Sequence, residues 1–454
     1  MNNLNSNSDI IIALATPYGR SAIAILRLSG NKCIELAQAR LKKPLRVGKL
    51  EVNELRADGF TEKLTAVCYR APNSYTGQDV VELMPHGNMT ICDGIVKAFI
   101  SDGARLAERG EFTKRAFLNG KVDLMQCEAL ADIIDAQTSE QLVYGNKRYE
   151  NGFKSLGKAQ ELLKTALSTV EATLHYGDEL EAGEESAAVA DDVYGAIDKI
   201  LSLLREEKDK YAGGRIINDG FKVALIGAPN VGKSTLLNCL VGSDRAIVTP
   251  IAGTTRDTIE ASYVYGGKKF VVTDTAGLND NTDDTVEKIG IERAKAAADD
   301  ADAVVVVTSC DENADRAVSD GRAAEYVGAE KPIIYVVNKR DGITDVGADH
   351  EKAERDGKLE ISAKLDKNVT ALKAKILSLC PKSAGGVCNH RQFSCLLRCI
   401  SALEAAKEES KKAEGLEIVA AALYDGYSAI EELYGENADE KVIGAVFERF
   451  CVGK

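Results

Sequence analysis

The stretch Gly227-Ala228-Pro229-Asn230-Val231-Gly232-Lys233-Ser234 has the spacing GxxxxGKS, and the chemistry that spacing suits is the holding of a polyphosphate. Glycines let backbone N–H groups close around phosphate oxygens, and a helix N-terminus favours negative charge. Lys233 reaches the β- and γ-phosphates, and the Ser234 hydroxyl binds Mg²⁺. The motif needs a strand before it and a helix after it, and the apolar runs Phe221–Gly227 and Thr235–Leu240 supply both. Further along, Val271–Thr273 ends a second predicted strand that leads into Asp274-Thr275-Ala276-Gly277. A carboxylate at that strand end holds Mg²⁺, usually through water, and Gly277 lets the backbone approach a γ-phosphate. Between the two lies Gly253-Thr254-Thr255-Arg256-Asp257, whose Thr255 hydroxyl completes the Mg²⁺ coordination when a γ-phosphate is present. A loop ordered only by that contact is a switch.

The base is read by a third predicted strand, Ile333–Val337, and the tetrad after it, Asn338-Lys339-Arg340-Asp341, which resembles the NKxD element of the GTPase superfamily. A carboxylate facing the N1–H and N2–H₂ donors of guanine accepts two hydrogen bonds, whereas adenine offers no such donor pair, so Asp341 selects guanine. Lys339 covers the ring, and Ser362-Ala363-Lys364 after Leu359–Ile361 resembles the fifth GTPase element. GTP is therefore favoured over ATP. The residue after Gly277 is Leu278, where Ras-like GTPases carry the glutamine that orients the attacking water; a leucine cannot do this, so another group must.

These loops need strands and helices to hold them, and the rest of the chain supplies several cores. At 454 residues and 45% apolar composition, more than one packed domain is expected. The formal charge of −13 gives no global attraction to nucleic acid or to an anionic bilayer, so any RNA contact must come from a local basic surface or from shape. Eleven cysteines, an odd number without disulfide-like density, suit a reducing compartment. Met1–Asp9 has neither the Lys/Arg nor the apolar stretch of a secretory or transit signal, and no run of 18 apolar residues occurs. The expectation is a cytoplasmic protein that does not enter a membrane.

The first 120 residues mix short strand-type runs (Ile10–Leu14, Ala22–Leu28, Val80–Met84) with turn signals, which reads as α+β. From Val122 to about Tyr211 no proline occurs and apolar residues recur at three- and four-residue spacing, as at Leu162, Leu163, Ala166, Leu167 and Val170, so helices dominate. The helical texture returns from about Arg391 to Tyr434, with Leu396, Leu397, Ile400 and Leu403 on one face. The expected fold is multidomain: an N-terminal α+β domain over 1–120, a helical domain over 121–216 and 382–454, and an α/β P-loop domain of Ras-like type inserted at 217–381. The acidic stretch Asp178–Glu185 reads as a solvated loop.

Taken together, Ile247–Asp257 (IVTxxAGTTRD), Asp274–Leu278 (DTAGL) and Ile289–Ala294 (IGIERA) resemble the MnmE (TrmE) family of tRNA-modification GTPases. Three stretches outside the G domain agree in type and order: Pro72–Gly77 (PNSYTG), Gly110–Lys121 (GEFTKRAFLNGK) and the terminal Phe450-Cys451-Val452-Gly453-Lys454. The resemblance spans almost the whole chain. It implies a homodimer whose N-terminal domain binds a tetrahydrofolate one-carbon donor, of the 5-formyl- or 5,10-methylene type, and a helical domain carrying the terminal cysteine. It also implies an FAD-dependent partner, MnmG (GidA), in a heterotetramer or larger complex, and installation of an aminomethyl-type group (aminomethyl or carboxymethylaminomethyl) at C5 of the wobble uridine of certain tRNAs.

Carried over residue by residue, the resemblance puts the folate contacts at Arg27, Glu82, Lys121 and Lys454, and catalytic roles at Glu287, Lys233 and Cys451. Glu287 matches the glutamate that acts through a water network. Asn230 matches the P-loop asparagine that binds K⁺, with Thr249, Ile251 and Thr254 in the loop closing over that ion, and Mg²⁺ falls to Ser234 and Thr255. Nucleotide contacts are expected from Asn230, Val231, Gly232, Lys233, Ser234 and Thr235, then Thr249, Pro250, Ile251, Ala252, Gly253, Thr254 and Thr255. Asp274, Thr275, Ala276, Gly277, Asn338, Lys339, Asp341, Ser362, Ala363 and Lys364 complete the set. Three positions depart from the family pattern: Asn279 stands for an arginine, Ala228 for a common P-loop arginine, and Gln78 for a common glutamate. The ending CVGK replaces the commoner CIGK with the loss of one methylene.

Other readings fit the residues less well. Cys451 is fourth from the end, but Gly453 is not aliphatic and Lys454 is atypical of a prenylation box. Cys388, His390, Cys395 and Cys399 lack a CxxC pair, and Cys395 and Cys399 lie one helical turn apart on an apolar face, which reads as core rather than zinc. His86, in a Pro-His-Gly turn with no nucleophile signature beside it, reads as structural or ligand-lining. The alternative class is a ribosome-assembly or regulatory GTPase of the Era or Der type. The folate-type N-terminal elements and the terminal cysteine distinguish the two, since an assembly factor has no use for a cysteine fixed beside a one-carbon donor.

Overall fold

The computed structural model describes residues 9–176, 184–228, 230–242, 259–274, 295–310, 331–381, 385–410 and 416–454. They fall into two compact units, one drawn from Met1–Ile134, Asn146–Ile197 and Ser401–Lys454, the other from Asp135–Gly145 and Asp198–Ile400.

In the first unit, β1 (Ile11–Leu14), β2 (Ser21–Ile23), β3 (Leu26–Ser29), β4 (Glu51–Ala57), β5 (Phe60–Tyr69), β6 (Val80–Met84), β7 (His86–Gly87) and β8 (Arg105–Leu106) follow in chain order. Six of them make a sheet in the order β4-β5-β6-β3-β1-β8, and β2 and β7 pair as a separate ribbon. Only β1–β8 is parallel; β4 and β5 are joined across Asp58-Gly59, a dipeptide that suits a two-residue hairpin. The apolar run Ala22–Leu28 is therefore not one strand. The chain breaks at Ala24-Ile25, where Ala24 N–H donates to Pro85 O and the Ile25 carbonyl accepts from Ala15 N–H, so these backbone groups stay paired while the chain changes sheets. Ile12, Leu26, Leu28, Leu55, Leu83, Ile95 and Phe99 form the core beneath the larger sheet. The helical part includes Leu124–Asp135, Lys154–Tyr176, Leu416–Tyr434 and Glu440–Glu448, with Lys154–Tyr176 packed along Leu416–Tyr434. Ala159, Leu163, Ala166 and Val170 are buried at the three- and four-residue spacing expected of an inward face.

The second unit carries β9 (Phe221–Ile226), β10 (Ile259–Tyr265), β11 (Lys268–Asp274), β12 (Ala303–Ser309), β13 (Ile333–Asn338), β14 (Glu354–Arg355) and β15 (Lys358–Glu360). The sheet order is β10-β11-β9-β12-β13-β15-β14, parallel from β11 to β15, with the antiparallel strands β10 and β14 at the edges. Every residue of β12 is buried, which is why Ala-Val-Val-Val-Val shows no alternation: a central parallel strand is covered on both faces. Val223, Leu225, Val305 and Val307 enter the core on one side, and Ala224, Ile226, Val304 and Val306 the core on the other. Ile216 joins the core under β9, and Ile217 packs with Tyr144 and Cys388. Along the helix His390–Ser410, Leu396, Ile400 and Leu403 are buried as expected, but Leu397 is exposed and Cys399 takes the inward position beside them.

Candidate functional site

Parallel register brings the carboxyl ends of β9, β11 and β13 to one edge of the sheet, the position at which open α/β sheets bind ligands. At the end of β9 the chain turns through Asn230 and Gly232, both with left-handed backbone (φ 62° and 94°), and enters the helix Lys233–Gly242. A side chain at Gly232 would put its Cβ 2.5 Å from Asn338 Nδ2, so only glycine fits the turn. Asn338 explains the closeness: its buried amide donates from Nδ2 to Val231 O (2.9 Å) and accepts at Oδ1 from Ala363 N–H (3.0 Å). One side chain thus ties the phosphate loop to the Ser362-Ala363-Lys364 loop. The sequence places Asn338 in the site, but its bridging role depends on how β9 and β13 are registered through β12 between them.

Lys233 is nearly buried, and its Nζ donates to Gly227 O (2.7 Å) and Ala228 O (2.9 Å) at the centre of the loop. Ser234 Oγ donates to Asp274 Oδ2 at 2.8 Å, so the two groups expected around Mg²⁺ already meet. Hydroxyl and carboxylate oxygens are hard donors that suit Mg²⁺ together with phosphate oxygens and water. Asp274 is fully buried at the end of β11.

At the far side, Lys339 is also left-handed (φ 63°), and Ser362 Oγ donates to Asp341 Oδ1 at 2.7 Å. That bond fixes the carboxylate expected to read the base. Lys367 Nζ holds the Asp341 carbonyl (2.8 Å), and Asn368 Nδ2 donates to Glu360 O (3.0 Å) while its Oδ1 accepts from Val346 N–H (2.9 Å). Neither Lys367 nor Asn368 belongs to a recognisable pattern, so nothing in the sequence pointed to them. Thr235 and Lys364 are exposed at the rim. Pro229, Thr249, Pro250, Ile251, Ala252, Gly253, Thr254, Thr255, Thr275, Ala276, Gly277 and Glu287 lie outside the described residues, as do Leu278 and Asn279.

A second constellation forms within the first unit. Register pairs Arg27 on β3 with Glu82 on β6, and Arg27 Nε donates to Glu82 Oε1 at 2.8 Å. The Arg27 guanidinium stands 5.6 Å from the ring centres of both Tyr75 and Phe112, and its Nη1 donates to Gly453 O at 3.2 Å. The two quoted stretches Pro72–Gly77 and Gly110–Lys121 meet here: Tyr75 Oη is 2.8 Å from Thr113 Oγ1, and Asn119 Nδ2 donates to Thr76 O at 2.7 Å. Lys121 lies over Gly77. Gln78, where the family commonly has glutamate, keeps an acceptor: its Oε1 takes Arg115 Nη1 (3.0 Å) and Ser29 Oγ (3.2 Å).

The terminal Cys451-Val452-Gly453-Lys454 forms a turn closed by Lys454 N–H to Cys451 O (3.4 Å) and bridged at Val452 to Arg109. Gly453 (φ 100°) lies so close to the Leu14 carbonyl oxygen that any Cβ would collide with it. Phe450 is buried against Leu124, Cys127, Ala131 and Phe447, whereas Cys451 is exposed. Most of the other cysteines are buried. Burial pushes the Cys399 thiol up to about 12, and Cys388, Cys395 and Cys399 are all interior. His86 Nδ1 is 2.6 Å from Glu62 Oε1, which also accepts from the His86 backbone N–H (3.0 Å).

A mostly parallel sheet with a GxxxxGKS loop at one strand end and linked NKxD and SAK loops at two others defines a P-loop GTPase. Residues 10–121 match the family model described as GTP-binding protein TrmE N-terminus, and residues 124–451 match the MnmE helical domain. The chain belongs to the MnmE family of tRNA modification GTPases and is a GTP hydrolase. The tRNA modification GTPase MnmE of Pseudothermotoga lettingae is 36% identical over 468 residues, which cover 98% of this chain and 100% of the relative. That of Aquifex aeolicus is 36% identical over 454 residues, covering 98% and 99%. A crystal structure of Aquifex aeolicus Era bound to GDP·AlF₄⁻ is similar over 40% of this chain and 66% of that one, at 27% identity and a TM-score of 0.28.

Proposed function

We propose that this GTPase works as a cytoplasmic homodimer with an FAD-dependent partner of the MnmG (GidA) type, in a heterotetramer or larger complex. Its reaction is the modification of C5 of the wobble uridine of certain tRNAs, with a tetrahydrofolate derivative supplying the one-carbon unit. The observation that supports this reading best is the meeting of Arg27, Glu82 and the Cys451–Lys454 turn, through the hydrogen bond from Arg27 to Gly453 O. A guanidinium, a carboxylate and two aromatic rings form a donor, acceptor and stacking set that suits a flat heterocycle with amide-like edges. In this reading Arg27, Glu82, Lys121 and Lys454 hold the folate and Cys451 acts beside it. An assembly GTPase has no need of that constellation.

The domains of this reading are 1–120 for folate and dimerisation, 217–381 for GTP, and 121–216 with 382–454 for the helical part. In the G domain, Ser234 and Thr255 hold Mg²⁺, and Asn230 with the Thr249, Ile251 and Thr254 region holds K⁺. Glu287 acts on water, and Asp341 reads guanine. The test is Cys451→Ser in the full chain. Modification of tRNA is expected to fall to background while GTP hydrolysis and 5-formyltetrahydrofolate binding persist. A parallel fall in hydrolysis, or no fall in modification, would overturn the assignment.

A further inference from the structure

The Cys451 turn is held at both ends by arginines. Downstream of the cysteine, Arg27 Nη1 donates to Gly453 O; upstream, Arg449 Nη2 donates to Asp132 Oδ1 at 2.6 Å. Asp132 is a buried carboxylate on the helix Leu124–Asp135, and its other oxygen, Oδ2, accepts from Arg148 Nη1 at 2.7 Å. Arg148 is itself almost completely buried. One carboxylate thus uses its two oxygens on two guanidiniums, and charge-assisted bonds of this kind are short and strongly directional. The same helix offers Leu124, Cys127 and Ala131 to Phe450, so the apolar contact and the ionic contact act on adjacent residues, Phe450 and Arg449. Phe450, with Val446 and Phe447, sets the depth of the chain against that helix. Bonds at and beyond Cys451, from Gly110 N–H to its carbonyl and across the Val452–Arg109 bridge, hold the turn downstream, and Asp132 adds the ionic anchor immediately upstream of the cysteine.

We propose that Asp132 and Arg449 are positioning residues for the terminal cysteine. They aim the exposed Cys451 thiol toward the Arg27–Glu82 site, and tRNA modification depends on that aim. Arg148, bonded to the second Asp132 oxygen, keeps that carboxylate oriented. The inference rests on the reading of Cys451 given above.

Asp132→Asn would leave the Arg148 cation buried beside a neutral amide, a change that can destabilise the protein as a whole. Arg449→Gln avoids this, because Arg449 is 40% exposed and the Asp132–Arg148 pair remains. In full-chain Arg449→Gln we expect the kcat for tRNA modification to fall about tenfold, the size expected for one lost charge-assisted hydrogen bond, with the KM for the folate donor unchanged. GTP hydrolysis and melting temperature should stay at wild-type levels. Hydrogen exchange of the Phe450 and Lys454 amides should accelerate by about the same factor, and Arg449→Lys should restore part of both losses. Wild-type exchange at these amides in a folded Arg449→Gln protein would overturn the positioning role. Accelerated exchange with unchanged modification would overturn the dependence of modification on the aim. Failure of the Cys451 reading has a separate signature: Cys451→Ser then retains modification, whatever Arg449→Gln does to exchange.

Discussion

The nucleotide loop and the terminal cysteine turn are built by opposite strategies. Around the loop each functional group sits where one strand of a parallel sheet ends, so neighbouring residues in sequence are neighbours in the site: Gly232, Lys233 and Ser234, then Asn338 and Asp341, then Ser362 and Ala363. Around the turn almost nothing is local. Arg27 reaches Gly453 across 426 positions and Arg449 reaches Asp132 across 317. A site made at strand ends is recorded as short patterns. A site assembled from distant stretches is recorded as separate short patterns and isolated charges whose meeting the sequence does not show.

The comparison is broken most severely by removing the backbone space that each site requires. Gly232→Ala and Gly453→Ala are matched changes, both at positive φ and both forcing a Cβ into an occupied position, against the Asn338 amide and the Leu14 carbonyl. Gly232→Ala should cost roughly a hundred- to a thousandfold in GTP hydrolysis, because the loop can no longer present its N–H donors. Gly453→Ala should reduce tRNA modification by a similar factor and leave hydrolysis within about twofold of wild type. Steady-state GTPase assays and quantification of the modified nucleoside read the two effects, and a loss of hydrolysis equal to the loss of modification in Gly453→Ala would show that the sites are not separable.

A smaller effect sharpens what happens inside the nucleotide site. Leu278 offers no group to orient water, so the charge developing between β- and γ-phosphate must be met another way, and a K⁺ ion held by Asn230 is the candidate. Hydrolysis in KCl should exceed that in NaCl at equal ionic strength by about tenfold, and Asn230→Ala should remove the difference. G-domain dimerisation with GDP–AlF₄⁻ should follow the same ion dependence. Equal rates in the two salts for the wild type would remove K⁺ from the mechanism.

Legibility in the sequence followed the same division. The strand before Gly227, the helix after it and the strands ending at Asp274 and Asn338 were readable because periodicity and turn chemistry are local. The run Ala22–Leu28 misled because apolar character says nothing about which sheet a strand joins, and the chain changes sheets at Ala24-Ile25. Leu397 misled for a related reason: it sits at the exposed margin of the buried stripe, which runs through Leu396, Cys399, Ile400 and Leu403. Arg27 and Glu82 were reached only through resemblance, and the cross-strand register that pairs them is a property of the fold. Asp132, Arg148 and Arg449 carried no signal, since a lone charge on a helical segment reads as solvated until its partner is known.

GTP hydrolysis is proposed to serve tRNA modification in this protein, and Asp341, the proposed base reader, tests that link most directly. Asp341, the residue proposed to read guanine, is held by Ser362 Oγ. In Asp341→Asn one acceptor becomes a donor, so xanthosine triphosphate should replace GTP as the preferred substrate. Hydrolysis and tRNA modification are to be measured on the same Asp341→Asn preparation with each nucleotide in turn. The account predicts that both activities fall with GTP and that both return with xanthosine triphosphate. Modification that continues at the wild-type rate with GTP, or that fails to return when xanthosine triphosphate is hydrolysed, would contradict it.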